Sequence, residues 1–145
     1  MKTAISLQFE VSHAQVSAAH GYHGTSLLRH YLGVGAEPCT IKATAFTAPI
    51  AESPARQGVE PDPAGKTADS TQTIAWLTFD CDDGTKKLGV WDWVGDIYFS
   101  YIRTPRILVR GDQGEIRDTT VRYLMAPLDP MEFELQVDLS STKQS

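Results

Sequence analysis

The stretch that decides the fold is TIAWLTFDCDDGTKKLGVWDW, residues 73–93. Residues 73–80 carry large apolar side chains at alternating positions on both sides, which predicts a strand that is covered on both faces. The Asp-Asp-Gly sequence at 82–84 predicts a tight turn, because aspartate and glycine tolerate the positive φ angles of a sharp reversal. Residues 86–93 then return as the second strand. Strands joined by so short a turn pair antiparallel.

Further strands are predicted on both sides of this hairpin, where apolar and polar residues alternate or β-branched residues cluster. The segments are 5–11, 14–18, 39–46, 107–110, 115–116, 121–125 and 133–137. The start of the first strand stays open, since residues 4–8 also fit the end of a helix that leads into a strand near Phe9. The chain as a whole is expected to form about seven strands.

One helix is predicted between the strands at 14–18 and 39–46. Thr25 or Ser26 is expected to cap its start through a hydroxyl group, and Gly33 to end it in a left-handed conformation. An apolar stripe along this helix predicts that it packs on a sheet; the stripe consists of Leu27, Leu28, Tyr31 and Leu32. The predicted fold class is therefore α+β, an open and mostly antiparallel sheet with the helix on one face.

The length of 145 residues and a hydrophobic content of 41% fit one ordinary domain, assigned to residues 1–139. Residues 49–70 contain few large apolar side chains and predict a long loop within this domain. Such a loop is expected to cover a site or to reach a neighbouring subunit. Residues 140–145 form a polar tail.

The net charge of -5 argues against nucleic acid as a partner, because a polyphosphate binds to a basic surface. The two cysteines are too few for a disulfide framework, which favours the reducing cytoplasm. The first ten residues lack the continuous apolar core of a signal peptide, and no apolar run reaches the length of a membrane span. These features predict a soluble cytoplasmic protein.

The candidate functional segment is HGYHGTSLLRHYLG, residues 20–33, in which His20 and His23 lie three residues apart. Together with YFSYIR at 98–103 and RILVRGDQGEI at 106–116, it resembles the carboxy-terminal domain of the Gfo/Idh/MocA family of NAD(P)-dependent oxidoreductases. This family includes glucose-fructose oxidoreductase and inositol dehydrogenase. The resemblance runs from about Phe9 to Leu124.

The resemblance implies an oxidoreductase domain that acts on a sugar or polyol. It makes His23 the candidate catalytic residue, because an imidazole can accept a hydroxyl proton near neutral pH. His20, Tyr22 and Arg103 are the candidate substrate-binding residues. The family has an aspartate four positions before its histidine, where this chain has Ala19.

The family binds NAD(P) through an amino-terminal Rossmann domain and has a catalytic lysine in a Glu-Lys-Pro motif. Neither that motif nor a G-x-G-x-x-G sequence after a first strand occurs in this chain. We therefore expect the chain to bind no cofactor by itself and to be a fragment or split subunit. A separate Rossmann-domain chain would supply NAD(P), and this chain alone would not be catalytically competent.

Two groups of polar side chains have competing interpretations. The four histidines offer ligands for a metal such as zinc, but their irregular spacing favours histidines that are solvated or hydrogen-bonded; they are His13, His20, His23 and His30. Five arginines offer guanidinium groups to an anionic ligand, with Arg103 the strongest candidate. Nearby carboxylates favour a salt-bridged outer face for the others; these arginines are Arg106, Arg110, Arg117 and Arg122.

Aromatic residues cluster on the predicted strands and predict either core packing or an exposed interface. They are Trp76, Trp91, Trp93, Tyr98, Phe99 and Tyr101. An open sheet needs a cover for its second face, so we expect a homo-oligomer that forms through this sheet. The alternative to the oxidoreductase domain is a free-standing, non-catalytic binding or oligomerisation module.

Overall fold

A computed structural model describes residues 9–52, 65–94, 97, 100 and 102–136 of the chain. Within these ranges the protein forms eight strands and one helix. Their bounds are β1 Val11–Ala18, α1 Gly21–Leu32, β2 Cys39–Ala51, β3 Thr67–Asp80, β4 Lys86–Val94, β5 Arg106–Gly111, β6 Gly114–Arg117, β7 Thr120–Ala126 and β8 Asp129–Glu134.

All eight strands belong to one open sheet with the order β2-β3-β4-β1-β5-β6-β7-β8. Six of its seven strand pairs are antiparallel, and β1 and β4 form a parallel pair at the centre. The structure is thus a mixed, mostly antiparallel sheet with one helix, which is compatible with the predicted α+β class. The parallel pair was not predicted. It arises because α1 and the β2–β3 hairpin lie between β1 and β4 in the chain.

The core lies between α1 and the centre of the sheet. Leu28 and Leu32, one helical turn apart, are fully buried against β1 and β4. Alternate residues of β1 point toward the helix, and Ala14 and Val16 are buried there. Gly89 of β4 leaves room for both leucine side chains. The apolar stripe predicted for the helix is confirmed.

The face of the sheet away from α1 is called the open face. The register places Trp76 of β3 beside Val90 of β4 on this face. Phe46 of β2 lies on the same face, two side-chain positions further along the strands. At one end of this face Ile97, which follows β4 in the chain, is buried against Val94 and Ala19. At the carboxyl ends of β1 and β4, α1 therefore lies on one face and Ile97 on the other.

The helix begins at Gly21, so the predicted start at Thr25 or Ser26 was wrong. His20 occupies the N-cap position with no side-chain hydrogen bond to the first turn. The first turn packs on the sheet instead, and this tertiary contact outweighs the weak helix propensity of glycine. The predicted end was right: Gly33 caps the helix with a φ of 66°.

The boundaries of the predicted loop and of the last strand also need correction. Residues 49–51 pair with 67–69, so β2 and β3 extend into both ends of the segment predicted as a loop over 49–70. The strand predicted at 133–137 is β8, which begins already at Asp129. A turn with Leu128 at a φ of 63° precedes it. Leucine seldom adopts this conformation, so the sequence carries no ordinary turn signal there.

Several predictions concern residues outside the described ranges. These are the start of the first strand at 5–8, the middle of the loop at 53–64, the tail at 140–145, and the aromatic residues Tyr98, Phe99 and Tyr101. In the described part of the chain, no helix combines the length and the apolar character needed to cross a bilayer.

Candidate functional site

Three of the predicted site residues meet at the start of α1, and we call them the helix-start cluster: His20, Tyr22 and His23. The ring centroids of Tyr22 and His23 are 4.2 Å apart, and those of His20 and Tyr22 are 5.6 Å apart in a stacked arrangement. The two imidazole centroids are separated by 5.8 Å. All three side chains are exposed, and Tyr22 has 70% of its surface accessible.

Two tryptophans of β4 hold this helix start against the sheet. A Cβ atom on Gly24 would lie 2.5 Å from Trp91 Nε1, and one on Gly21 would lie 3.1 Å from Trp91 Cη2. Only glycine permits such a close approach at position 24, and a larger residue at position 21 would make a tight contact. Trp93 Nε1 also donates a hydrogen bond of 2.6 Å to the carbonyl oxygen of Ala19. Both tryptophans therefore belong to the helix-covered side of the sheet, where they position the cluster.

The cluster stands at the carboxyl ends of the parallel strands β1 and β4. In open sheets with parallel strands, ligands commonly bind in crevices outside these ends. Imidazole and phenol groups can donate and accept hydrogen bonds, and an imidazole can exchange a proton near neutral pH. Ala19 offers the cluster no carboxylate. The chemistry available at this point is thus the binding of hydroxyl groups and the transfer of a proton.

The turn from β1 into α1 does not fit a dinucleotide. In a nucleotide-binding turn, glycines let the backbone approach a pyrophosphate group. Here Gly21 and Gly24 are closed against the indole ring of Trp91, so they serve the contact between helix and sheet. We assign no step of a reaction to a nicotinamide held by the described residues.

Arg103 lies in a second site on the open face, which we call the Asp92 cavity. It has a volume of about 250 Å³, and its lining includes Ser17, Gln72, Asp92, Arg103 and Arg106. None of the helix-start cluster lines it. The structure therefore brings together His20, Tyr22 and His23, and it places Arg103 in a separate cavity.

Hydrogen bonds organise the Asp92 cavity. Ser17 Oγ donates to Asp92 Oδ2 over 2.9 Å, and Gln72 Nε2 donates to Asp92 Oδ1 over 2.8 Å. Arg103 Nη1 donates to Ser70 Oγ over 3.0 Å. Sequence reasoning missed Ser17, Gln72 and Asp92. Strand alternation could place each of them on a face, but only the sheet register makes them neighbours.

The predicted salt-bridged face is confirmed for two of the arginines. Arg106 pairs with Asp118 at 3.1 Å, and Arg110 pairs with Glu115 at 2.7 Å. These pairs are largely exposed, so each contributes little to stability.

The four histidines do not all come together, and only His20 and His23 are neighbours. His13 lies on the open face of β1, and His30 lies in the last turn of α1, away from the helix-start cluster. No three His, Cys, Asp or Glu side chains within the described ranges come together in a way that could hold a metal ion.

Comparison of the chain with protein-family models, with curated proteins and with solved structures finds no match.

Proposed function

We propose that this chain is the substrate-binding and assembly domain of a cytoplasmic oxidoreductase of the Gfo/Idh/MocA type, acting on a sugar or polyol. NAD(P) would be bound by a Rossmann domain outside the residues described here. The observation that supports this proposal is the helix-start cluster, in which His20, Tyr22 and His23 stand exposed at the carboxyl ends of β1 and β4. Another domain placed over this end would complete a binding site.

In this proposal the chain binds the substrate, orients it and accepts a proton. His23 takes the proton of a substrate hydroxyl group, since an imidazole is suited to general base catalysis near neutral pH. The phenol of Tyr22 and the imidazole of His20 hold neighbouring hydroxyl groups through hydrogen bonds. The close packing of Gly21 and Gly24 on Trp91 keeps the backbone of the cluster in place.

Binding can be tested on the chain alone by nuclear magnetic resonance. On titration with myo-inositol, glucose and related polyols, the ring resonances of His20 and His23 are expected to shift. Those of His30, on the same helix, are expected to stay unchanged. If none of these sugars and polyols shifted the ring resonances of His20 or His23, the result would contradict the proposed substrate class.

Catalysis needs a nucleotide-binding partner. The chain is mixed with separately produced Rossmann domains of glucose-fructose oxidoreductase or inositol dehydrogenase, and the formation of reduced nicotinamide is followed. Where a pair is active, His23→Gln is expected to lower kcat by about 10²-fold or more. His30→Gln is the matched control and should keep full activity. Equal activity of both variants would remove His23 from the reaction.

The open face supports assembly as a second function. Phe46 and Trp76 lie on this face with 68% and 40% of their surfaces exposed. Large exposed apolar side chains on one sheet face are typical of an interface. A second copy of the chain is the partner we propose, with the two open faces packed together about a two-fold axis.

Assembly is tested by sedimentation equilibrium. Trp76→Lys is expected to raise the dimer dissociation constant by about 10-fold or more, because tryptophans at interface centres contribute strongly to binding. Ile41→Lys is the matched control, since Ile41 is 64% exposed but lies on the other face of the same β2–β3 hairpin. A chain that is monomeric at every concentration would contradict this function.

A further inference from the structure

We propose that the Asp92 cavity binds a small carboxylic acid that carries a hydroxyl or ammonium group next to its carboxylate. The ligand carboxylate would face Arg103 and Arg106, and its hydroxyl or ammonium group would donate to Asp92. This proposal is independent of the one for the helix-start cluster, because it concerns other residues on the opposite face of the sheet.

The acceptor in the cavity is the Asp92 carboxylate, which is held in place and can accept further hydrogen bonds. Asp92 accepts one hydrogen bond at each oxygen, from Ser17 and from Gln72. An ionised carboxylate can accept about four hydrogen bonds, so room for about two donors remains. Ser17, which is only 6% exposed, holds the Oδ2 atom of Asp92 in place through its hydrogen bond. A ligand donor that reaches Asp92 therefore meets a preoriented acceptor.

The charge of Asp92 also favours a donor from the ligand. Both of its hydrogen-bond partners are neutral, and among the described residues no cation forms an ion pair with it. An ammonium group would compensate this charge directly, and a hydroxyl group would form a charge-assisted hydrogen bond with it.

Two guanidinium groups provide the opposite polarity in the same cavity. Arg103 and Arg106 both line it. Arg106 uses one N–H for its bond to Asp118, a residue that does not line the cavity, and a guanidinium carries five N–H donors. Guanidinium groups bind carboxylates well because their geometries match. A ligand that carries a carboxylate next to a hydrogen-bond donor therefore matches both the guanidinium groups and the Asp92 carboxylate.

The size and the remaining lining limit the ligand further. A volume of about 250 Å³ lies below the range of about 300–1,000 Å³ that is typical of drug-sized ligands. Val94, Ile97 and Ile102 add apolar surface for a short aliphatic part. A phosphate with several negative charges fits less well, because it would lie against Asp92.

The test compares three ligands of nearly equal shape: propionate, L-lactate and L-alanine. All carry the carboxylate, but only lactate has the adjacent hydroxyl group and only alanine the ammonium group. Affinities are measured by titration of the isotope-labelled chain, with the side-chain amide resonance of Gln72 as the local reporter. Lactate or alanine is expected to bind about 10-fold or more tightly than propionate. Whichever binds better identifies the donor.

Variants locate the two halves of the interaction. Asp92→Asn is expected to bring the affinity ratio of the preferred ligand to propionate close to one. Arg103→Met should weaken all three ligands by about 10-fold or more. Arg110→Met is the matched control, because Arg110 is a paired arginine on the same strand as Arg106 but outside the cavity, and it should change nothing.

The ligand series on the unchanged chain decides the matter even if a variant does not fold. Equal affinity for propionate, lactate and alanine, or binding of none of them, would overturn the proposal. The proposal would also be overturned if Arg110→Met weakened the ligands as much as Arg103→Met does. The same holds if a folded Asp92→Asn variant still bound lactate or alanine more tightly than propionate.

Discussion

The helix-start cluster and the Asp92 cavity lie at the same end of β1 and β4, on opposite faces, and they are built differently. The cluster consists of His20, Tyr22 and His23, which are adjacent in sequence, exposed, and carried on a helix that packs against Trp91. The cavity joins residues from β1, β3, β4 and the connection to β5 through hydrogen bonds. The first depends on docking of the helix, and the second on strand register.

This difference predicts that the two regions can be disturbed separately. A substitution beneath the helix should disorder the cluster and leave the cavity intact. A substitution in the strand network should do the reverse. Such a separation would show that the two candidate sites are independent parts of one sheet.

The largest effect is expected for Leu28→Ala. Leu28 is fully buried between α1 and the sheet, and removal of such a side chain costs about 2–5 kcal/mol through lost burial and a residual cavity. Urea unfolding measures the change. Leu128→Ala is the control, because Leu128 is 95% exposed and should contribute almost nothing. A loss for Leu28→Ala below about 1 kcal/mol would mean that this stripe does not hold the helix.

Gly24→Val tests the contact that positions the cluster. The new side chain would collide with the Trp91 indole, and overpacking of this kind costs about 1–3 kcal/mol. The ring resonances of His20 and His23 should shift, while the Gln72 side-chain amide should not.

The control for Gly24→Val is Gly35→Ala. A Cβ atom on Gly35 would meet Glu37 Oε2 at 3.7 Å, an ordinary contact. If Gly24→Val and Gly35→Ala gave the same stability, the tight packing on Trp91 would not exist in solution.

The sequence predicted the parts of the fold that local signals determine. Alternation identified β3 and β4, and glycine marked the left-handed conformation at Gly33 and at Gly84, with φ angles of 66° and 83°. The start of α1 was missed because Gly21 and Gly24 are poor helix formers, while Thr25 offers a hydroxyl cap. Packing on Trp91 decides that boundary, and no local rule contains it.

Of the candidate sites, only the cluster could be found from sequence, because its residues are neighbours along the chain. The parallel pairing of β1 and β4 crosses a helix and a long hairpin. Without that pairing, nothing relates Ser17 to Asp92, which is 75 positions away, or either of them to Arg103. Arg103 was singled out for its charge, but its neighbours depend on the register of the sheet.

A smaller effect is expected for Ser17→Ala, which acts on the cavity. The substitution removes a hydrogen bond to Asp92, and loss of such a bond typically costs about 1 kcal/mol. The Gln72 amide resonance should shift while the cluster resonances stay in place, the reverse of the Gly24→Val pattern. Ser12→Ala, at an exposed position of the same strand, should stay within about 0.5 kcal/mol of the parent. Shifts in both regions for Ser17→Ala would show that they are coupled.

The smallest effect concerns His13, which lies on the open face but belongs to neither region. Burial, and then the charge of Arg110, lower the pKa of His13, and its Nε2 atom is buried with no hydrogen-bond partner among the described residues. Arg110 on β5 faces it and is itself paired with Glu115, and Leu88 of β4 lies on its other side.

The sign of the effect follows from the lowered pKa of His13. Well above a pH of about 6.5 the imidazole is neutral in both states, and near and below this pH the unfolded chain binds the proton more readily than the folded protein. Stability should therefore fall as the pH drops from about 6.5 toward the lower pKa of the folded state, and the loss should become constant below it.

Urea unfolding at pH about 7.5 and about 5.5 should give a smaller acid-induced loss of stability for His13→Gln than for the parent chain. His30→Gln is the control variant for the loss of an exposed histidine. Identical losses for His13→Gln and the parent would mean that the folded protein accommodates a charged imidazole at this position of the open face.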